Sequence, residues 1–167
     1  LSTDSGFFRH IDETGAETFA AASRLIAAGA SPKKAFAQMS GGKSLLSRRL
    51  LGEILARTEP YFDGRLLVSF VNLEDQNRFG QASRDSDMVY QLLFGVAGCE
   101  AAMVIRQESE TDCTVGFRAR DRIDVGSIAA RFGGGGHRLA AGALIRGKIE
   151  EVRDKLIAAF ESSMPEE

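Results

Sequence analysis

The chain has 167 residues, of which 44% are hydrophobic and 26% charged, and its formal net charge is −2 at pH 7. These values are ordinary for a globular protein and exclude disordered and fibrous classes. The slightly acidic balance lacks the basic footprint of a duplex-DNA binder. Cys99 and Cys113 are too few and too far apart for a disulfide scaffold or a CxxC metal site, so we expect reduced thiols. No apolar run is long enough to cross a membrane and no signal peptide is present, which favours a cytoplasmic location.

The first 60 residues predict helices, over residues 14–28, 31–39 and 44–57. Thr14 and Glu17 fit a capping box at the start of the first helix. Ser31 and Pro32 fit an N-cap followed by proline at the first position of the second. Leucines recur at helical spacing in the third helix, which we expect to join two bodies.

Beyond Pro60 the pattern changes to alternating strands and helices. The predicted strands cover residues 65–72, 100–107, 114–120 and 143–146, and the predicted helices cover residues 85–96, 125–132 and 149–162. Alternation of this kind predicts an α/β fold, in which an N-terminal helical segment is followed by a mixed β-sheet flanked by helices. We place the domain boundary near residue 60, which gives domains 1–60 and 61–167.

The most specific local feature is the run RFGGGGHRLAAG, residues 131–142, with its glycines at Gly133, Gly134, Gly135 and Gly136. Consecutive glycines cost conformational entropy, so an ordered structure keeps them where backbone must approach something closely. Their N–H groups can converge on a phosphate, most readily if residues 137–141 open a helix. His137 can then add a hydrogen bond. A flexible loop with an ordinary surface histidine is the alternative that spacing leaves open.

Two arginines precede this run on a predicted strand. Arg118 and Arg120 alternate with Phe117 and Ala119, so they share the face opposite those apolar residues. Two guanidinium groups on one face can hold a phosphate, although a solvated strand face carries arginines too. Asp124 is predicted to cap the following helix.

Two apparent motifs are rejected. The sequence SGGKS, residues 40–44, echoes the end of a P-loop, but the first glycine of that motif would fall at Ala37 and a helix precedes it. Asp85 and Asp87 stand at a predicted helix start, where acidic residues complement the helix dipole without forming a catalytic pair.

The segment FRARDRIDVGSIAARFGGGGHRLAAG, residues 117–142, resembles the DHH-associated domain that follows the DHH domain in bacterial oligoribonuclease and nucleoside bisphosphate phosphatase proteins. TDSGFFR, residues 3–9, is similar to the last motif of the DHH domain. The resemblance implies a two-lobed phosphoesterase with two Mn²⁺ ions in its DHH lobe. By position, Asp4 matches a metal aspartate, Arg118 matches the arginine that holds substrate phosphate, and residues 133–137 match the turn that contacts the terminal nucleotide.

No DHH triplet occurs in the sequence. Because one aspartate cannot hold a two-metal site, we expect this chain to be the inactive C-terminal part of a longer Mn²⁺-dependent hydrolase that begins upstream of Leu1. The expected ligand is short RNA or a nucleotide with a terminal phosphate, such as 3′-phosphoadenosine 5′-phosphate. The missing DHH lobe is an expected partner, and the full-length protein can be a homodimer through it. Two alternatives stay open: a lobe of a cyclic-dinucleotide phosphodiesterase, and a non-catalytic RNA-binding module.

Overall fold

The structure is a computed structural model that describes residues 1, 5–8, 11–80 and 86–164. The chain divides into two compact units, Leu1–Lys43 and Ser44–Glu167. Its helices are α1 (Ala16–Ala27), α2 (Pro32–Ser40), α3 (Leu45–Ala56), α4 (Leu73–Phe79), α5 (Ser86–Leu93), α6 (Val125–Arg131) and α7 (Ile149–Glu161). Its strands are β1 (Glu59–Tyr61), β2 (Leu66–Val71), β3 (Ala101–Gln107), β4 (Asp112–Ala119), β5 (Gly135–His137) and β6 (Ala140–Arg146). The predicted α/β class, with N-terminal helices and a mixed sheet flanked by helices, is confirmed.

Helices α1 and α2 form the first unit. The predicted cap of α2 is confirmed, because Ser31 Oγ accepts a hydrogen bond from the Lys34 N–H and Pro32 is the first helical residue. The predicted capping box of α1 is wrong. Gly15 is the N-cap without a side-chain bond, and the Thr14 hydroxyl instead donates to Asp12 Oδ1 at 2.6 Å. A local Asp–Thr turn therefore competes successfully for the capping hydroxyl.

The second unit contains one six-stranded sheet in the order β1-β2-β3-β4-β6-β5. Strands β2 and β3 are parallel, and all other neighbours are antiparallel. A parallel pair needs a crossover connection, and α4 and α5 lie in it. In β4, residues with odd numbers are buried while those with even numbers are partly exposed, as the alternation in the sequence predicts.

One face of the sheet, which we call the core face, packs against α6 and α7. Phe117 of β4 meets Phe160 of α7 with ring centroids 6.3 Å apart, and both side chains are fully buried. Ile128 of α6 and Leu156 of α7 belong to the same apolar cluster. Burial of this kind supplies most of the stabilisation of a small α/β unit.

The other face, which we call the site face, is covered by helices over β2 and β3. Leu50, Leu51 and Ile54 of α3 pack there with α4 and α5 residues in a second apolar cluster. Helix α3, expected to be a linker, is thus part of the second unit, while Leu45 and Leu46 at its start are exposed. The division into domains 1–60 and 61–167 stays a prediction. The two compact units, Leu1–Lys43 and Ser44–Glu167, do not test it, because a domain and a compact unit need not have the same bounds. Among the described residues, no helix is long and apolar enough to cross a membrane.

Candidate functional site

The candidate site lies on the site face where β4, β6 and β5 adjoin. In register, Gly116 of β4 pairs with Gly142 of β6, which in turn pairs with Gly135 of β5. We call these three residues the glycine row. Directly paired residues project to the same face, so no side chain rises from the sheet across three strands, about 10 Å at normal strand spacing.

The next row of the same face carries the predicted binding side chains. Arg118 pairs with Ala140, and Ala140 pairs with His137. Arg118 and His137 therefore stand on either side of an alanine, next to the glycine row. Because His137 is exposed and Arg118 is half-buried, both are accessible to a ligand on this face.

The glycine-rich turn forms a strand, so the expected helix opening at residues 137–141 is wrong. Gly135–His137 is β5, and Ala140 already begins β6. The intervening carbonyl groups of Arg138 and Leu139 accept backbone hydrogen bonds from Val125 and Ala119. Those bonds hold the turn against neighbouring elements, which leaves no helix N-terminus to receive an anion.

Three of the four consecutive glycines are required by the fold. Gly133 has φ of +75° and follows α6, as is typical of a glycine after a helix C-terminus. A Cβ at Gly134 would lie 2.6 Å from the Ala143 Cβ, and one at Gly136 would lie 2.5 Å from the Ala140 carbonyl oxygen. Gly136 also has φ of +143°.

Gly135 is different. A Cβ there would have no atom within 4 Å among those compared, and its φ is outside the left-handed range. Its absent side chain would project onto the site face, beside Gly142. The contacts within the fold therefore do not require glycine at this position, and the space beside it is open.

Arg118 is held by Tyr90 of α5. The guanidinium carbon lies 4.8 Å from the centre of the Tyr90 ring, and Nη1 donates to the Phe117 carbonyl at 2.9 Å. The Tyr90 hydroxyl covers Gly116, where an added Cβ would lie 2.5 Å from it. Burial raises the pKa of Tyr90 to about 12, although Arg118 and Arg106 oppose this shift. The hydroxyl therefore stays protonated at neutral pH.

The structure does not bring Arg118 and Arg120 together. Strand β4 ends at Ala119, and the Arg120 guanidinium donates to the Phe94 carbonyl at 2.6 Å, beside a separate hollow that includes Cys99 and Glu100. Arg118 lines a cavity between α3, α5 and the sheet, and the second arginine that lines this cavity is Arg106 of β3. Sequence reasoning missed it, although alternation in AAMVIRQ already places Arg106 on the face shared by Ala102 and Val104.

Three further predictions concern a helix cap, the two thiols and the aspartates at the start of α5. Asp124 caps α6, since its carboxylate accepts from the Ser127 N–H at 3.0 Å, which confirms that assignment and lowers the pKa of Asp124. Cys99 and Cys113 are free and buried, and burial raises the pKa of each thiol. Asp87 is in the first turn of α5, as predicted, whereas Asp85 lies outside the described residues.

Asp4, the predicted metal ligand, also lies outside the described residues. Within the part of the chain that the structure describes, no three His, Cys, Asp or Glu side chains come together in a group that could hold a metal ion. The described residues therefore do not fit the two Mn²⁺ ions that the resemblance implies.

Comparison with known families matches residues 63–164 to the DHHA1 domain, and this match covers strands β2 to β6 and every residue of the candidate site. The chain belongs to the DHHA1 family. The match confirms the predicted resemblance to the C-terminal part of DHH-family phosphoesterases.

One curated relative of this DHHA1 chain is a bifunctional oligoribonuclease and PAP phosphatase, NrnA, from Thermus thermophilus. It is 29% identical over 117 residues, which are 70% of this chain and 34% of the relative. The chain thus spans about a third of that protein's length.

Two solved structures share the fold. An exopolyphosphatase-related protein from Bacteroides fragilis superposes with a TM-score of 0.80 at 21% identity, covering 97% of this chain and 46% of that one. PggH from Vibrio cholerae, a pGpG-specific phosphodiesterase, superposes with a TM-score of 0.52 at 17% identity, covering 71% of this chain and 41% of that one. At these identities the two likenesses concern the fold.

Proposed function

We propose that the DHHA1 unit is the substrate-binding lobe of a metal-dependent phosphoesterase that hydrolyses short oligoribonucleotides or 3′-phosphoadenosine 5′-phosphate. The observation that carries the proposal is the glycine row on the site face, with Arg118 and His137 in the adjacent row. The activities named for the Thermus relative supply the substrate class.

The arrangement suits a nucleotide for two physical reasons. Tyr90 covers Gly116, but the rest of the glycine row, at Gly142 and Gly135, lets a planar base or a ribose–phosphate chain lie directly against the sheet. Beside it, Arg118 offers several N–H donors in a planar fork that matches phosphate oxygens. Stacking against Tyr90 limits the freedom of that fork before any ligand binds, so less entropy is lost on binding.

Within this proposal the predicted site residues have two kinds of role. Arg118, Gly135 and His137 contact the ligand directly, because they project onto the site face. Gly133 instead provides the positive φ after α6, and Gly134 and Gly136 allow the following residues to lie close to β6, so the three set the position of Gly135 and His137.

We assign the Mn²⁺ ions of the proposed chemistry to a DHH lobe, with Asp4 as one ligand. Since the described residues do not fit these ions, we expect this chain to bind nucleotide without hydrolysing it. To check this expectation, each binding sample is incubated with Mn²⁺ and the nucleotide is then analysed by chromatography. We expect the nucleotide to be intact.

The decisive experiment is calorimetric titration of the chain with the RNA dinucleotide pApA and with 3′-phosphoadenosine 5′-phosphate. Arg118→Gln removes a charge-assisted contact worth about 1.5–3 kcal/mol, so we expect affinity to fall about 10- to 100-fold. Gly135→Ala places a methyl group on the glycine row, and we expect at least a tenfold loss of affinity with an unchanged melting temperature. His137→Ala should weaken binding by a smaller factor.

Two matched variants control for charge and for the added methyl group. Arg120→Gln removes the same charge two residues away, at a different hollow. Gly52→Ala adds a methyl group on α3, where a Cβ meets no atom within 4 Å of those compared. Both control variants should bind the ligands as tightly as the unaltered chain does. If Arg118→Gln and Gly135→Ala also bound as tightly as the unaltered chain, the proposal would be refuted.

The same titration separates the two alternatives. Preference for a cyclic dinucleotide over pApA would favour the cyclic-dinucleotide phosphodiesterase. Stronger binding of tRNA than of dinucleotides, with a steep dependence on salt, would favour the RNA-binding module.

A further inference from the structure

An exposed leucine lies on the side of the glycine row that is opposite to Arg118. Leu144 of β6 pairs with Thr114 of β4, and each lies two residues from its strand's glycine in the row, Gly142 or Gly116. Because residues two positions apart on a strand project to the same face, Leu144 stands on the site face. Its side chain is 64% exposed, so it is accessible to a ligand that lies on this face.

The open part of the site face therefore has two chemically different borders. On one side, Arg118 and His137 offer N–H donors to a phosphate. On the other side, Leu144 carries no polar atom. Ala140 lies in the row of Arg118, so the two borders are four residues apart along β6, or about 13 Å. This span is comparable to the length of a nucleoside monophosphate from its phosphate to the far edge of its base.

The chemistry of the second border suits a base better than a phosphate. The hydroxyl of Thr114 is already engaged, because it donates to the Glu108 carboxylate at 2.6 Å. Thr114 also stands between Leu144 and Arg106 in the register of the sheet. A ligand that lies on Gly142 thus meets the aliphatic side chain of Leu144 at this border. Apolar side chains of this kind pack against the faces of bases and remove apolar surface from water.

We propose that Leu144 contacts the nucleobase, so that the nucleotide lies across the glycine row with its phosphate at Arg118 and its base at Leu144. This inference rests on the proposed function, since it assumes that Arg118 binds the phosphate. An apolar contact does not read the hydrogen-bonding edge of a base. We therefore expect the site to accept purines and pyrimidines, and to bind AMP more tightly than UMP because a purine buries more apolar area.

The test uses nuclear magnetic resonance on the chain with isotope-labelled leucine methyl groups and saturating AMP. We expect nuclear Overhauser effects between the Leu144 methyl groups and the protons of the adenine ring. Leu144→Ala should weaken AMP binding about fivefold, since part of a leucine side chain is no longer buried. The same variant should bind ribose 5-phosphate as the unaltered chain does, because that ligand has no base. Leu144→Phe should bind AMP at least about threefold more tightly, because bases stack on aromatic rings.

A matched control is Leu45→Ala, because Leu45 is 66% exposed and lies on α3 rather than on the sheet. This variant should bind AMP as tightly as the unaltered chain does. Thermal unfolding of each variant shows whether the fold is intact, and the Overhauser measurement on the unaltered chain does not depend on any variant.

Two kinds of failure can be told apart. If the adenine protons contact the methyl groups of Leu50 or Leu51 in the cavity instead of Leu144, the base lies elsewhere and only this inference fails. The same holds if Leu144→Ala does not weaken AMP binding, or weakens ribose 5-phosphate equally, while Arg118→Gln weakens both. If the chain does not bind AMP, or if Arg118→Gln binds it as tightly as before, the proposed function fails as well.

Discussion

The two faces of the sheet in the second unit differ in what covers them. On the core face, Phe117 and its neighbours are sealed by α6 and α7. Gly134 and Gly136 allow the glycine-rich run to lie close to β6. On the site face, helices seal β2 and β3, whereas Gly135, His137 and Leu144 are exposed. The same strands β4, β6 and β5 thus contribute one face to stability and leave the other open, where we propose that a ligand binds.

The largest effect is expected when an aromatic side chain on the core face is replaced by alanine. Phe160→Ala removes a fully buried side chain and leaves a cavity beside Phe117, so we expect the free energy of unfolding to fall by about 3–5 kcal/mol. Urea denaturation followed by circular dichroism measures it. Leu144→Ala is the control on the site face, where the side chain is 64% exposed, and it should change stability by less than about 0.5 kcal/mol. Similar losses for the two variants would contradict the contrast.

A second test adds a methyl group at Gly134, just before β5, or at Gly135, the first residue of β5. Gly134→Ala drives a Cβ into Ala143 and the Gly142 carbonyl, and overpacking of this kind costs about 1–3 kcal/mol. Gly135→Ala meets open space and should leave the free energy of unfolding within about 0.5 kcal/mol of that of the unaltered chain. If Gly135→Ala were the more damaging of the two to stability, the packing assigned to these two positions would be wrong.

The smallest effect concerns Tyr90, at the edge of the covered part of the site face. Its pKa is raised from 10.0 to about 12, so the folded chain keeps a proton that the unfolded chain loses. Stability is therefore complete below pH 10 and falls as pH rises, by about 1.4 kcal/mol at pH 11. Tyrosinate absorbance at 295 nm should show a transition near pH 12 that Tyr90→Phe abolishes and Tyr61→Phe retains. Ionisation of Tyr90 near pH 10 would indicate that its hydroxyl is exposed to water, which would contradict its burial in the structure.

Local patterns in the sequence determined much of the fold. Hydrophobic periodicity predicted the α/β class, because side chains repeat every two residues on strands and every three to four on helices. Ser31 and Asp124 were correctly predicted as caps, since a cap depends on residues three positions apart. The segment from residue 117 to 142 indicated the family before any geometry was known.

Only the tertiary structure decided what the glycines and arginines do. Which of Gly133 to Gly136 is needed by the fold depends on where α6 ends and on close contacts with Ala140 and Ala143 of β6, and the residue pattern does not show these contacts. Arg118 and Arg120 share a strand face in the pattern, yet the strand ends at Ala119 and the second arginine of the cavity comes from β3. Alternation fixes on which side of a strand a residue lies. It cannot show which helices cover that side or which strands adjoin it, because pairing and packing join residues far apart in the chain.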